Sequence, residues 1–212
     1  MLCGIDEAGR GPVMGPLVVA SVFVENDSIL TKIGVKDSKK LSPAVREMMF
    51  LEIIKNAEHR VVILSAEEID KKRVNDSLNE IELQMFADSV LGMNASVIYA
   101  DCPDVNEHAF SAALSSKLGG MKVIAEHKAD DTYPIVSAAS IIAKVTRDNI
   151  IKEIAKEFGV DIGSGYPSDT VTTEFIAKWI KENGNPPPHT RCSWETVRKM
   201  MILHKNKKIT DW

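Results

Sequence analysis

Short apolar stretches bounded by glycine, proline and charge set the rhythm of the first 130 or so residues, and longer helical periodicities fill the rest. Leu17–Val24 is apolar except at Ser21 and rich in β-branched side chains, so it reads as a strand. The stretch Gly4-Ile5-Asp6-Glu7 before it reads as the end of a first strand, joined to it as a hairpin. Arg60–Leu64, Ser96–Ala100 and Lys122–Ala125 are further strand candidates. Ser42 with Pro43 forms an N-cap and first helical position, and predicts a helix to about Asn56. Ser65-Ala66-Glu67-Glu68 has the form of a capping box. Leu78, Ile81, Met85 and Val90 recur at roughly helical spacing within Ser77–Leu91.

Helices are also predicted over Val105–Leu118, over the alanine- and isoleucine-rich Ile135–Phe158, and over Thr170–Lys181. Asn185-Pro186-Pro187-Pro188 reads as a stiff connector to a last helical segment. Strands come first, then strand–helix alternation, then helices only. That order predicts an α/β chain with a mixed sheet covered by helices. The expected division is a catalytic domain over residues 1–184 and a helical extension over 185–212, packed on the same body.

Composition narrows this picture. A chain of 212 residues, 44% hydrophobic, can bury a sizeable core. Its longest apolar run falls well short of the ~20 residues that a membrane helix needs. Gly4 and Asp6 follow the first residue too closely for a signal peptide. Cys3, Cys102 and Cys192 are widely separated and lack zinc-ligand spacing, so they read as reduced thiols of a cytoplasmic protein. No apolar seam stands out, and a monomer is expected. The net charge of −4 argues at first against a nucleic-acid partner. Arg191, Arg198, Lys199, Lys205, Lys207 and Lys208, however, face only Glu195 in the C-terminal run. Such a run is either a solvated helix face or a surface for a phosphate backbone.

The candidate chemistry lies in the acids. Asp6 and Glu7 close the first strand, Asp101 closes VIYAD, and Asp130 ends KVIAEHKAD, just past the strand in it. Acids from three segments at strand ends can converge at one rim of a sheet, where mutual repulsion raises pKa values unless cations intervene. Two divalent ions about 4 Å apart would relieve it, and all-oxygen ligands favour Mg²⁺ or Mn²⁺. Strand alternation sets one obstacle: Asp6 and Glu7 cannot both point inward from a regular strand. A twist before Gly9, or a backbone carbonyl as ligand, would be required. Taken singly, Asp6-Glu7 could be a solvated turn, and Asp101 and Asp130 ordinary loop acids.

Four blocks in order carry a resemblance: DEAGRGP (Asp6–Pro12), DSKKLS (Asp37–Ser42), HKADDTYPIVSAASIIAKVTRD (His127–Asp148) and GSGYPSD (Gly163–Asp169). The chain from Gly4 to about Val197 resembles type 2 ribonuclease H in its archaeal-style single-chain form. The resemblance implies a ribonuclease H-like fold: a five-stranded mixed sheet flanked by helices, with a helical C-terminal extension. It implies metal-dependent endonucleolytic cleavage of RNA in RNA–DNA hybrids and on the 5′ side of single ribonucleotides in duplex DNA, leaving 5′-phosphate and 3′-hydroxyl ends. Matched by position, the metal-binding and catalytic acids are Asp6, Glu7, Asp101 and Asp130, while Asp131 does not match. Gly9, Arg10 and Gly11 would sense the ribose 2′-hydroxyl and grip the adjacent phosphate, as backbone amides in a glycine turn can. Tyr166 would pack on the neighbouring deoxyribose.

Lys39 and Lys144 are further candidates for phosphate contact or for balancing the acids, although a lysine is most often simply solvated. His127 reads as a hydrogen-bonded structural residue rather than a ligand, because a hard metal prefers oxygen. The tail Asn206–Trp212 distantly resembles a sliding-clamp binding motif, with Ile209 and Trp212 as its apolar anchors and Asn206 where the motif has glutamine. Two other readings stand beside the leading one: a nuclease of related fold acting on another nucleic acid, and a catalytically silent hybrid-binding protein. A Rossmann reading of Gly9-Arg10-Gly11 is weaker, because a strand and not a helix follows it.

Overall fold

A computed structural model describes residues 1–35 and 42–210, with side chains to Asn206. Lys39, in the DSKKLS block, and the tail anchors Ile209 and Trp212 therefore lie outside the described side chains. The chain divides into two compact units. The first comprises Met1–Ala8, Val18–Ile63 and Ser77–Thr146; the second comprises Gly9–Leu17, Leu64–Asp76 and Arg147–Trp212.

The first unit is built on the sheet. β1 (Leu2–Ala8) runs antiparallel to β2 (Leu17–Val24) and parallel to β4 (Val97–Asp101), which runs parallel to β5 (Val123–Glu126). With β3 (Glu58–Leu64) the spatial order is β3-β2-β1-β4-β5, a five-stranded mixed sheet. β2 is buried along its whole length, which explains its unbroken apolar run.

The helices follow from their caps. α1 (Ser28–Ile33), which the apolar pattern did not reveal, ends on a left-handed Gly34. Ser42 caps α2 (Pro43–Asn56), with Pro43 at its first position. The expected capping box of Ser65 with Glu68 is present on α3 (Ala66–Lys72), and a second, Ser77 with Glu80, opens α4 (Leu78–Val90). α4 lies against β2, where the Ser21 hydroxyl donates to the Ser89 carbonyl at 2.7 Å. It also meets α5 (Glu107–Lys117) through edge-to-face Phe86 and Phe110, with centroids 5.4 Å apart.

α6 (Ala129–Thr132) is a single short turn, and α7 (Pro134–Phe158) is the long helix. A Cβ at Gly4 would sit 2.4 Å from the Ile135 backbone carbonyl, so the start of α7 crosses β1 where only glycine admits it. α7 continues into the second unit, where α8 (Thr170–Asn183) and α9 (Glu195–Thr210) pack together. Val13, Met14, Ile151, Ile154, Ile162, Ile176, Ile180 and Val197 form that unit's core. Among the described residues, no helix is long and apolar enough to cross a membrane. Cys3, Cys102 and Cys192 are free thiols.

Candidate metal centre and substrate-recognition turn

Register and alternation decide which acids meet. Gly4 pairs with Val22 and Ile5 with Ser21 across the antiparallel ladder, and opposed residues share a face. Gly4 and therefore Asp6 face α7, whereas Ile5, opposite Ser21, faces α4. On the parallel side Gly4 pairs with Tyr99, so Asp101, two residues on, shares the Asp6 face. Asp130 arrives by a different route. Lys128 adopts a left-handed conformation (φ 59°), and Ala129 then opens α6 by donating its amide to the Asp101 carboxylate at 3.0 Å. Asp130 is the next residue. Asp101 thus both contributes a carboxylate and fixes the helix that brings the third.

Asp6, Asp101 and Asp130 each offer a carboxylate oxygen, and these lie within 4.8 Å of one another. Asp6 and Asp130 are buried, at 4% and 3% exposure. The Asp6 pKa stands well above the usual carboxylate range. Burial is the largest cause, the charges of Glu7, Asp101 and Asp130 add to it, and a hydrogen bond from Ser140 on α7 opposes it. Glu7 is not one of the three whose oxygens lie within 4.8 Å of one another, although its charge is the largest of the neighbouring carboxylates acting on Asp6. An all-carboxylate set this buried suits a hard divalent cation, which removes the repulsion that the fold has assembled.

Two other candidates of this unit are placed as follows. Lys144 is half-buried on α7, one turn beyond Ser140 and hence on the face that meets Asp6. His127 lies in the turn after β5, not within a strand, with Nδ1 3.3 Å from the Cys102 carbonyl and Nε2 3.8 Å from Glu107. It does not belong to the carboxylate cluster.

The second unit joins Gly9-Arg10-Gly11 to Tyr166. Val13 and Met14 donate their amides to the Gly165 carbonyl at 2.8 and 3.2 Å, tying the turn's exit to the loop. A Cβ at Gly11 would lie 3.8 Å from Tyr166 Cε1, an ordinary contact. The two glycines are demanded by different things. Gly9 has φ +94°, and a Cβ there would meet the Pro16 carbonyl at 2.5 Å and Arg147 at 2.8 Å. The fold itself therefore requires glycine at 9. Gly11 is exposed, does not take a positive φ, and has room for a side chain.

Two buried arginines, which sequence reasoning did not single out, support this turn. Arg147 is 2% exposed, donates to the Ser164 carbonyl at 2.9 Å and lies over the Tyr166 ring, 5.1 Å from its centroid. Arg191 is fully buried, so it is no part of the basic C-terminal face that charge counting suggested. It donates from Nη2 to the Gly9 carbonyl at 2.6 Å, from Nη1 to Arg10 at 3.1 Å and from Nε to Gly15 at 3.0 Å. Burial, and then the charge of Arg147, lower its pKa to about 9, so it stays protonated at neutral pH. A charge run cannot distinguish a buried arginine from solvated ones; only the folded carbonyls identify it.

Comparison with known proteins agrees with this arrangement. Residues 3–197 match the family model described as Ribonuclease HII. A ribonuclease HII of Pyrococcus abyssi is 46% identical over 215 residues, covering 99% of this chain and 95% of that protein. The solved ribonuclease H2 of Pyrococcus horikoshii superposes with TM-score 0.90 at 42% identity, covering 96% of this chain and 98% of the other. The RNase HII solved in a PCNA:RNase HII complex from Archaeoglobus fulgidus gives 0.88 at 44% identity, with 94% and 96% covered. Its sheet, its gathered acids and this likeness along nearly its whole length agree: the chain belongs to the ribonuclease HII family, divalent-metal-dependent endonucleases of the RNase H fold.

Proposed function

We propose that this endonuclease cleaves the RNA strand of RNA–DNA hybrids and the 5′ side of single ribonucleotides embedded in duplex DNA, leaving 5′-phosphate and 3′-hydroxyl ends, as a monomer. One observation carries the substrate reading: the Gly9–Gly11 turn and Tyr166, distant in sequence, are neighbours. Amides at a glycine turn meet a 2′-hydroxyl at a range that a Cβ would block, and a flat ring beside them accepts a sugar lacking that hydroxyl. Arg10, at the centre of the turn, would hold the adjacent phosphate.

Asp6, Glu7, Asp101 and Asp130 would hold the metal, the three aspartates forming the close-set group. When bound there, two ions, Mg²⁺ or Mn²⁺, would supply a lowered water pKa and charge stabilisation for the departing 3′ oxygen. The protein's own part is to keep three carboxylates converged and largely dry. Lys144, and Lys39 outside the described residues, are proposed to contact phosphate or to balance the acids.

The test uses a labelled duplex with one ribonucleotide, an all-DNA control and a long RNA–DNA hybrid, each with Mg²⁺, Mn²⁺ or chelator. The expected result is a metal-dependent cut 5′ of the ribonucleotide, absent from the control. Cleavage of the long hybrid alone would overturn the single-ribonucleotide reading.

A second reading concerns the tail. The Archaeoglobus fulgidus structure pairs an RNase HII with PCNA, and α9 carries this chain as helix to Thr210, through Ile209; Trp212 lies outside the described residues. We propose that these two residues anchor a sliding clamp. Deleting Ile209–Trp212 is expected to abolish clamp-stimulated cleavage and leave basal cleavage intact; unchanged stimulation would rule the tail out.

A further inference from the structure

The guanidinium of Arg191 spans three backbone carbonyls, and two of them belong to consecutive peptides of the recognition turn, Gly9–Arg10 and Arg10–Gly11. No cis peptide bond occurs among the described residues. In a planar trans peptide the N–H points opposite to the carbonyl of the same unit. When the carbonyls of Gly9 and Arg10 turn toward the buried guanidinium, the amides of Arg10 and Gly11 turn away from it. The third carbonyl, of Gly15, precedes Pro16, and Gly11 precedes Pro12; neither proline has an amide to aim. The turn therefore presents two adjacent, parallel N–H groups.

Arg191 is itself held rigidly. Glu67 and Asp70, spaced one turn apart on α3, take the amides flanking it. His189 donates to Glu67 at 2.9 Å, and Cys192 and Ser193 donate to Asp70 at 2.6 and 3.0 Å. The Trp194 ring lies under the guanidinium, 4.9 Å from ring centroid to Cζ. Its five donors in a fixed fork explain why arginine and not lysine is used: a lysine carries the charge but cannot span three carbonyls in set directions.

We propose that Arg191 is a positioning residue for substrate discrimination, holding the Arg10 and Gly11 amides toward the ribose 2′-hydroxyl through their carbonyls. This rests on the reading of the turn given above. It also accounts for glycine at position 11, where the fold has room for a side chain: the glycine keeps the second amide accessible.

The experiment measures, in Ca²⁺ and with uncut DNA verified, the affinity for a duplex carrying one ribonucleotide relative to an all-DNA duplex. Wild type is compared with Arg191→Lys and Arg191→Gln. Both substitutions are expected to lower the preference by about tenfold, the loss of one or two oriented hydrogen bonds, with all-DNA affinity unchanged. A preference retained by Arg191→Lys and lost by Arg191→Gln would show that charge, not the fork, matters, and would overturn the proposal. So would a preference retained by both. A wild type without preference would instead overturn the reading of the turn, and this inference with it. Should the variants unfold, amide exchange in the wild-type protein decides: protection of Arg10 and Gly11 on adding the ribonucleotide duplex supports the proposal, and its absence overturns it.

Discussion

The first unit concentrates negative charge and the second positive charge, and each resolves its repulsion differently. Around Asp6, burial and neighbouring carboxylates raise the pKa, so the metal-free site can neutralise itself by taking up a proton. Around Arg191, burial and Arg147 lower it, yet a guanidinium near 9 still keeps its proton at neutral pH. Arg191 is stabilised by backbone carbonyls in the folded chain itself. The carboxylates gain their full stabilisation only from a cation, which makes the first unit a site and the second a scaffold for one.

The sharpest way to break this contrast is to remove one charge from the first unit. Asp130→Asn is expected to lower the single-turnover rate on the order of 10³-fold, beyond the 10–100-fold typical of losing an outer-shell partner. Hybrid affinity should stay within about twofold, because the recognition turn lies in the other unit. Residual cleavage within tenfold of wild type would remove Asp130 from the centre.

A pair of glycine substitutions tests the second unit. Gly9→Ala should cost about 1–3 kcal/mol or more in denaturant unfolding, since its Cβ meets backbone and φ is positive. Gly11→Ala should unfold like wild type but bind the ribonucleotide duplex about tenfold more weakly, a loss near that of one or two hydrogen bonds. Equal destabilisation of the two variants would contradict the division of labour.

A subtler effect concerns pH. Because Asp6 is raised, the metal-free folded state holds a proton that the unfolded chain has released. Stability therefore falls as pH rises from the ordinary carboxylate value, near ~4, toward the folded value. Asp6→Asn should raise the metal-free melting midpoint at pH 7, by roughly 2–4 °C per kcal/mol of relieved repulsion, and leave it nearly unchanged below about pH 4. The smallest effect is expected at the exposed Glu195–Lys199 pair, 2.8 Å apart, where Lys199→Ala should not measurably shift the midpoint.

Periodicity and caps located nearly every element, because a buried strand, a capping box and Pro43 at a helix start are local statements. α1 and α6 escaped that reading: each is too short to show a period, and α6 depends on a left-handed Lys128 and on Asp101 across the chain. The acids of the centre were legible as strand-end carboxylates, but alternation said only that Asp6 and Glu7 could not both face inward from a regular strand.

The sequence alone determined the family, the order of elements and the residue types of the chemistry. Each is encoded in neighbouring positions or in long ordered motifs. The tertiary structure decided which three carboxylates converge, why glycine is demanded by the fold at 9 but not at 11, and that Arg191 is buried. Those outcomes depend on the register between strands and on which carbonyls a guanidinium reaches across some 180 residues. No local pattern carries that information.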